Sequence, residues 1–146
     1  MNYKIITATI AAIMLFVSTA AMAQIQFTTG GNITAIAETY VKVFDQNGDI
    51  RKNKDITGIE LAVAGKFLGL VSFGVDTLLA EEEISLSIPE KESLGAIAYK
   101  AAQNIIAAKD KIGKDDNGRI ALMVAIGTAY NIKKTEIDPA KKKFSY

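Results

Sequence analysis

The chain has 146 residues, with 17 Lys and Arg against 16 Asp and Glu, a net charge of +1, and no Cys, His or Trp. Without Cys and His there are no disulfides, no thiol chemistry, no Ser-His-Asp or Cys-His mechanism, and no zinc site built on those ligands. The charge balance lacks the basic excess of a nucleic-acid binder, and five Tyr and six Phe leave few rings for stacking on sugars or single strands.

Residues 1–23 read as a cleavable signal peptide. Met1 to Lys4 carries one positive charge, Ile5 to Val17 is almost wholly apolar, and Ala21-Met22-Ala23 is the small-x-small pattern that signal peptidase accepts. The apolar run is shorter than the roughly 20 residues of a bilayer span. Cleavage after Ala23 predicts an exported bacterial protein, located in the periplasm or at the cell surface. It leaves 123 residues, enough for one domain (24–146). Lys4 is the only charge removed, so 16 basic residues balance 16 acidic ones. Zero net charge takes away a barrier to self-association.

Residues 28–32 form a turn-prone start. From Ile33 to Phe44, Ile33, Ala35, Ala37, Thr39, Val41 and Val43 alternate with the residues between them, and the end is β-branched and aromatic; a strand is expected. Asp45-Gln46-Asn47-Gly48-Asp49 is a turn, because Asn-Gly accepts positive φ. Residues 56–80 hold Gly58, Gly65, Gly69 and Gly74, each costing a helix about 1 kcal/mol. Two strands joined by a Gly65-Lys66 hairpin turn are preferred. A transmembrane helix is the weaker alternative there, since Glu60, Lys66 and Asp76 interrupt it.

Glu81-Glu82-Glu83 reads as a solvated loop. Ser87-Ile88-Pro89-Glu90 fits a capping box. Leu94, Ile97, Ala98, Ala101, Ile105, Ala108 and Ile112 then fall on one apolar stripe, so an amphipathic helix is expected over about 88–112, with Gly113 as its C-terminal cap. Asn117-Gly118 is a second turn. Arg119 to Lys133 alternates bulky with small residues and reads as a strand covered on both faces. After Asp138-Pro139 a mobile tail is expected.

The expected fold class is therefore α+β: an antiparallel sheet of about five strands with one long helix packed on it. No catalytic, cofactor-binding or metal-binding residues are assigned. Asp45, Asn47 and Asp49 match the first ligand positions of a calcium loop, but Ile50 and Ile56 stand where Gly and Glu belong. Gly58, Gly65 and Lys66 have the wrong spacing for a phosphate loop, and Ser72 has no His to activate it. Asn32-Ile33-Thr34 is a formal glycosylation sequon, inert in a bacterium.

The expected function is non-enzymatic: a structural or interaction subunit of an envelope assembly. Its expected partner is a second copy or another envelope protein, not nucleic acid. Membrane contact is left open, without a helical span. One alternative is a small outer-membrane β-barrel, suggested by alternating segments and the terminal Phe144-Ser145-Tyr146 but opposed by the helix at 88–112. The other is a periplasmic module holding a small apolar ligand between helix and sheet.

Overall fold

The computed structural model describes residues 29–52, 55–81 and 84–134. The signal peptide and the tail beyond 138 lie outside those residues. In chain order the elements are α1 (Gly30–Val43), α2 (Gly58–Ala80), β1 (Ile84–Ser85), α3 (Leu94–Ala107), α4 (Gly118–Ala129) and β2 (Lys133–Lys134). The expected five-stranded sheet is replaced by a four-helix arrangement in which every pair of helices is in contact. Among the described residues the only sheet is the two-residue ladder, with Ile84 opposite Lys134 and Ser85 opposite Lys133.

Each helix starts where a polar side chain satisfies its first free N–H groups. Thr29 Oγ1 accepts from Asn32 N–H at 3.3 Å. Thr57 and Glu60 form a reciprocal capping box. Ser93 Oγ accepts from Ala96 N–H at 3.1 Å. Asn117 Oδ1 accepts from Arg119 N–H at 3.0 Å.

Four expected strands are helical, the two of 56–80 in one helix, for one physical reason. A bulky residue at every second position also meets part of a helical period, and packing decides between the two readings. In α1 the buried set is Ile33, Ala37, Tyr40 and Val43, spaced i, i+4, i+7 and i+10. In α2 it is Ala64, Phe67, Leu68, Val71, Gly74, Val75 and Leu78, one continuous stripe. The Gly65-Lys66 hairpin is thus absent, and the glycine cost is offset by burial. Fully burying a Phe, Leu or Val side chain contributes about 1.5–3 kcal/mol each. In α4 the buried residues Leu122, Ala125 and Ile126 follow the helical period, and the bulky Ile120 and Val124 of the expected strand face solvent.

The helix expected over 88–112 is shorter at both ends. Ser87 caps nothing; its N–H donates to Tyr130 O at 3.0 Å, and the helix begins after Ser93. It ends at Ala107 through a tight turn at Ala108 rather than at Gly113. Its stripe is correct at the centre, where Ile97, Ala98, Ala101 and Ile105 are buried.

The Asn47-Gly48 turn is present. Gly48 has φ +81°, and an isolated antiparallel bridge between Phe44 and Ile50 closes the turn behind α1. Arg51 finishes that helix: its Nε donates to Val41 O at 3.1 Å and to Phe44 O at 3.0 Å. Asn117-Gly118, expected as a second turn, is instead the start of α4.

The β-barrel alternative falls with the strands, because its alternating segments are these helices. The apolar-ligand alternative placed its ligand between helix and sheet, and the facing surfaces are instead helices meeting through the buried side chains of one core.

Candidate interaction surface

α2 is the one helix among the described residues long and apolar enough to cross a membrane. Its buried stripe packs it against α1, α3 and α4. What remains is its outer side, and that side is not uniformly polar. Phe73 is 56% exposed and Ile59 78%. On the neighbouring α4, Ile120 and Val124 are 59% and 62% exposed.

The contacts between α2 and α4 set Phe73 beside the start of α4. A Cβ built on Gly74 would lie 2.9 Å from Ile126 Cδ1, so Gly74 marks the side of α2 turned to α4. At about 100° per residue, Phe73 lies roughly a quarter-turn round the helix from Gly74, at the rim of the contact. There the Arg119 guanidinium stands 5.1 Å from the centre of the Phe73 ring, a cation–π contact that fixes both side chains. Ile120 follows Arg119 in sequence, and Val124 lies one helical turn beyond Ile120. Asp76 lies about 60° further round α2 from Phe73, in the direction away from α4. At about 100° per residue, Arg119 lies about 20° round α4 from Ile126, Ile120 about 120° and Val124 about 160°, so Arg119 stands between Phe73 and the exposed Ile120 and Val124, with Asp76 beyond Phe73 on the far side. Arg119 and Asp76 are both exposed, and neither is ion-paired among the described residues.

The polar groups considered in the sequence serve local structure. Asp45 Oδ1 accepts from the N–H groups of Asn47 at 2.8 Å and Asp49 at 3.1 Å. Those two bonds hold its carboxyl below the usual carboxylate range. The carboxylate of the suspected calcium loop is thereby occupied in shaping the turn. Lys66 and Ser72 sit half-buried inside α2, and Asn32 lies in the first turn of α1. Among the described residues no three Asp or Glu side chains converge as a metal site.

One partly buried polar cluster was not evident in the sequence. Lys100 Nζ pairs with Glu92 Oε1 at 2.7 Å and lies 5.2 Å from the centre of the Tyr130 ring. Glu92 Oε2 and Tyr130 Oη are buried without a hydrogen-bond partner. Burial, followed by the Glu92 carboxylate, pushes the Tyr130 hydroxyl well above its ordinary pKa. A phenol so held is no acid–base group near neutral pH. The cluster ties the segment before α3 to the end of α4.

No protein-family model, curated protein or solved structure matches the chain.

Proposed function

We propose that this chain is an exported, non-enzymatic subunit of a bacterial envelope assembly, and that it works by binding protein surfaces. The observation that carries the reading is the apolar face of α2 and α4. Large side chains such as Phe73, Ile120 and Val124, each more than half exposed on one of two helices in contact, are what an interaction surface presents. The N-terminal charge, apolar run and Ala21-Met22-Ala23 site support export. The balanced charge of residues 24–146 supports close association without net repulsion.

Expression of the whole chain in a Gram-negative host tests both halves. The protein should be recovered from the periplasm or cell surface beginning at Gln24, and light scattering coupled to size exclusion should give a discrete oligomer. A protein that stays cytoplasmic with Met1 intact overturns the export half. A strict monomer that captures no envelope protein by cross-linking in cells overturns the assembly half.

A further inference from the structure

We propose that Asn47 is a site of spontaneous covalent modification, where the Gly48 nitrogen displaces the side-chain amide, and that the fold spares the other Asn-Gly step, Asn117-Gly118. This chemistry does not depend on the assembly reading above. The Gly48 backbone nitrogen gives its proton to water or hydroxide and attacks Asn47 Cγ. A new C–N bond forms, the Cγ–Nδ2 bond breaks, and the leaving nitrogen takes up a proton and departs as ammonia. The product is a succinimide ring. Water then adds to one carbonyl carbon of the ring and breaks its bond to the ring nitrogen. Opening at Cγ leaves aspartate at position 47. Opening at the backbone carbonyl leaves isoaspartate, whose main chain runs through the former side chain. Glycine favours the attack because it has no Cβ to crowd the nitrogen.

The two Asn-Gly steps share one dipeptide chemistry, and the structure separates them. Both asparagines are exposed. Among the described residues the Asn47 side-chain amide makes no hydrogen bond; only the backbone of Asn47 does, its N–H donating to Asp45 Oδ1 and its carbonyl accepting from Ser93 Oγ. Its Cγ is therefore free to turn, and what must open is a turn between helices, where Gly48 N–H donates to Asp45 O at 3.0 Å. Asn117 is held by its side chain. Its Oδ1 accepts from Arg119 N–H at 3.0 Å and from Ile120 N–H at 3.4 Å, and Gly118 is buried in the first turn of α4. Attack there must first give up both capping bonds and unwind the start of a packed helix. Turns open locally more readily than packed helices, so the reaction falls on Asn47. Its products act on the junction between that turn and α3. Aspartate puts a new carboxylate between Asp45 and Asp49. Isoaspartate displaces the carbonyl that Ser93 holds and lengthens the chain where it is tightest, since even a Cβ on Gly48 would lie 2.5 Å from Gly95 Cα.

The test is a time course on the full chain as the cell delivers it, held at body temperature in mildly alkaline buffer, folded and in denaturant. Trypsin cuts after Lys42 and Arg51 and after Lys114 and Arg119, so the two Asn-Gly steps fall in separate peptides. Mass spectrometry of each peptide reads the exchange of an amino group for a hydroxyl. In denaturant the two sites should react at similar rates. In the folded protein the reaction at Asn47 should run at least about tenfold faster than at Asn117. Wild-type protein modified at Asn47 should melt below fresh protein, while Asn47→Gln, which lacks the reacting amide geometry, should keep its own melting temperature through the same incubation. Equal rates at the two sites in the folded protein, faster reaction at Asn117, or no reaction at Asn47 while the denatured chain reacts, each overturns the proposal. Fully modified protein that melts with fresh protein overturns the effect on the junction.

Discussion

Gly48 and Gly95 meet backbone to backbone: a Cβ built on Gly48 would lie 2.5 Å from Gly95 Cα, and one built on Gly95 would lie 2.7 Å from Gly48 Cα. This contact presses the turn after α1 against the first turn of α3. Ser93 Oγ donates to Asn47 O at 3.0 Å and Tyr40 Oη donates to Gly95 O at 3.0 Å, so two hydrogen bonds hold the same junction. Gly48 is constrained twice, since its φ of +81° also disfavours any side chain. Gly95→Ala should cost about 1–3 kcal/mol by overpacking, and Gly48→Ala should cost more. Because either methyl group forces the same separation, the double variant should be less destabilised than the sum of the two. Urea titrations of the three variants give the coupling directly; simple additivity would mean the two glycines do not share one contact.

Two buried tyrosines should respond oppositely to loss of their hydroxyl. Tyr40 Oη has a partner in Gly95 O, so Tyr40→Phe loses that hydrogen bond and should lower stability by about 1 kcal/mol. Tyr130 Oη lies beside the Glu92 carboxylate but makes no hydrogen bond of good geometry. Tyr130→Phe removes an unsatisfied group and should be neutral or slightly stabilising. Thermal melts of the two variants decide this; equal losses would mean that Tyr130 is hydrogen-bonded in solution.

The contact between α1 and α2 includes a pH-dependent element. Lys42 Nζ, followed by the N–H and hydroxyl of Thr57, holds the Glu60 carboxyl down to about 2. A folded-state pKa below the unfolded value of about 4.3 contributes stability that is fully present above that value and is lost as pH falls towards about 2. Glu60→Gln should therefore melt at a lower temperature than wild type at pH 7. The difference should shrink between about pH 4.5 and pH 2 and vanish below. A gap that stays constant through that window would show that the Glu60 charge is not the cause.

How much of this fold can be read from the chain depends on which signal is unambiguous. The stripe of α3 is legible because Ile97, Ala98, Ala101 and Ile105 fit a helix and nothing else. The Asn47-Gly48 turn is legible from residue type alone. α1 and α4 are not, because alternating β-branched residues such as Ile33, Val41 and Val43 satisfy a strand as well as a helix, and only the contacts among all four helices select the helix. α2 carried a usable signal in Thr57-x-x-Glu60, a true capping box outweighed by four downstream glycines. Ser87-x-x-Glu90 shows the converse: the same pattern, with no helix behind it. The α2–α4 face could not be read at all. It depends on which side of each helix is left over after packing, and on Arg119 meeting Phe73 across 46 positions of sequence.

Exposure separates two isoleucines that the sequence treats alike. Ile105 is 1% exposed in the core, whereas Ile120 is 59% exposed on α4. Aspartate at 105 would be a buried charge without a partner, costing several kcal/mol against a total stability of about 5–15 kcal/mol. Ile105→Asp should therefore leave the protein unfolded or insoluble. Ile120→Asp places the same charge in water, near the N-terminus of α4, where an acid is favourable. It should fold as well as wild type by circular dichroism and lose only self-association. If Ile120→Asp unfolds the chain, that residue belongs to the core and the apolar face is not free. If Ile105→Asp folds normally, the four-helix packing around α3 is wrong. The expected pair of results, one variant unfolded and the other folded but monomeric, would separate the residues that hold this fold together from those available to a partner.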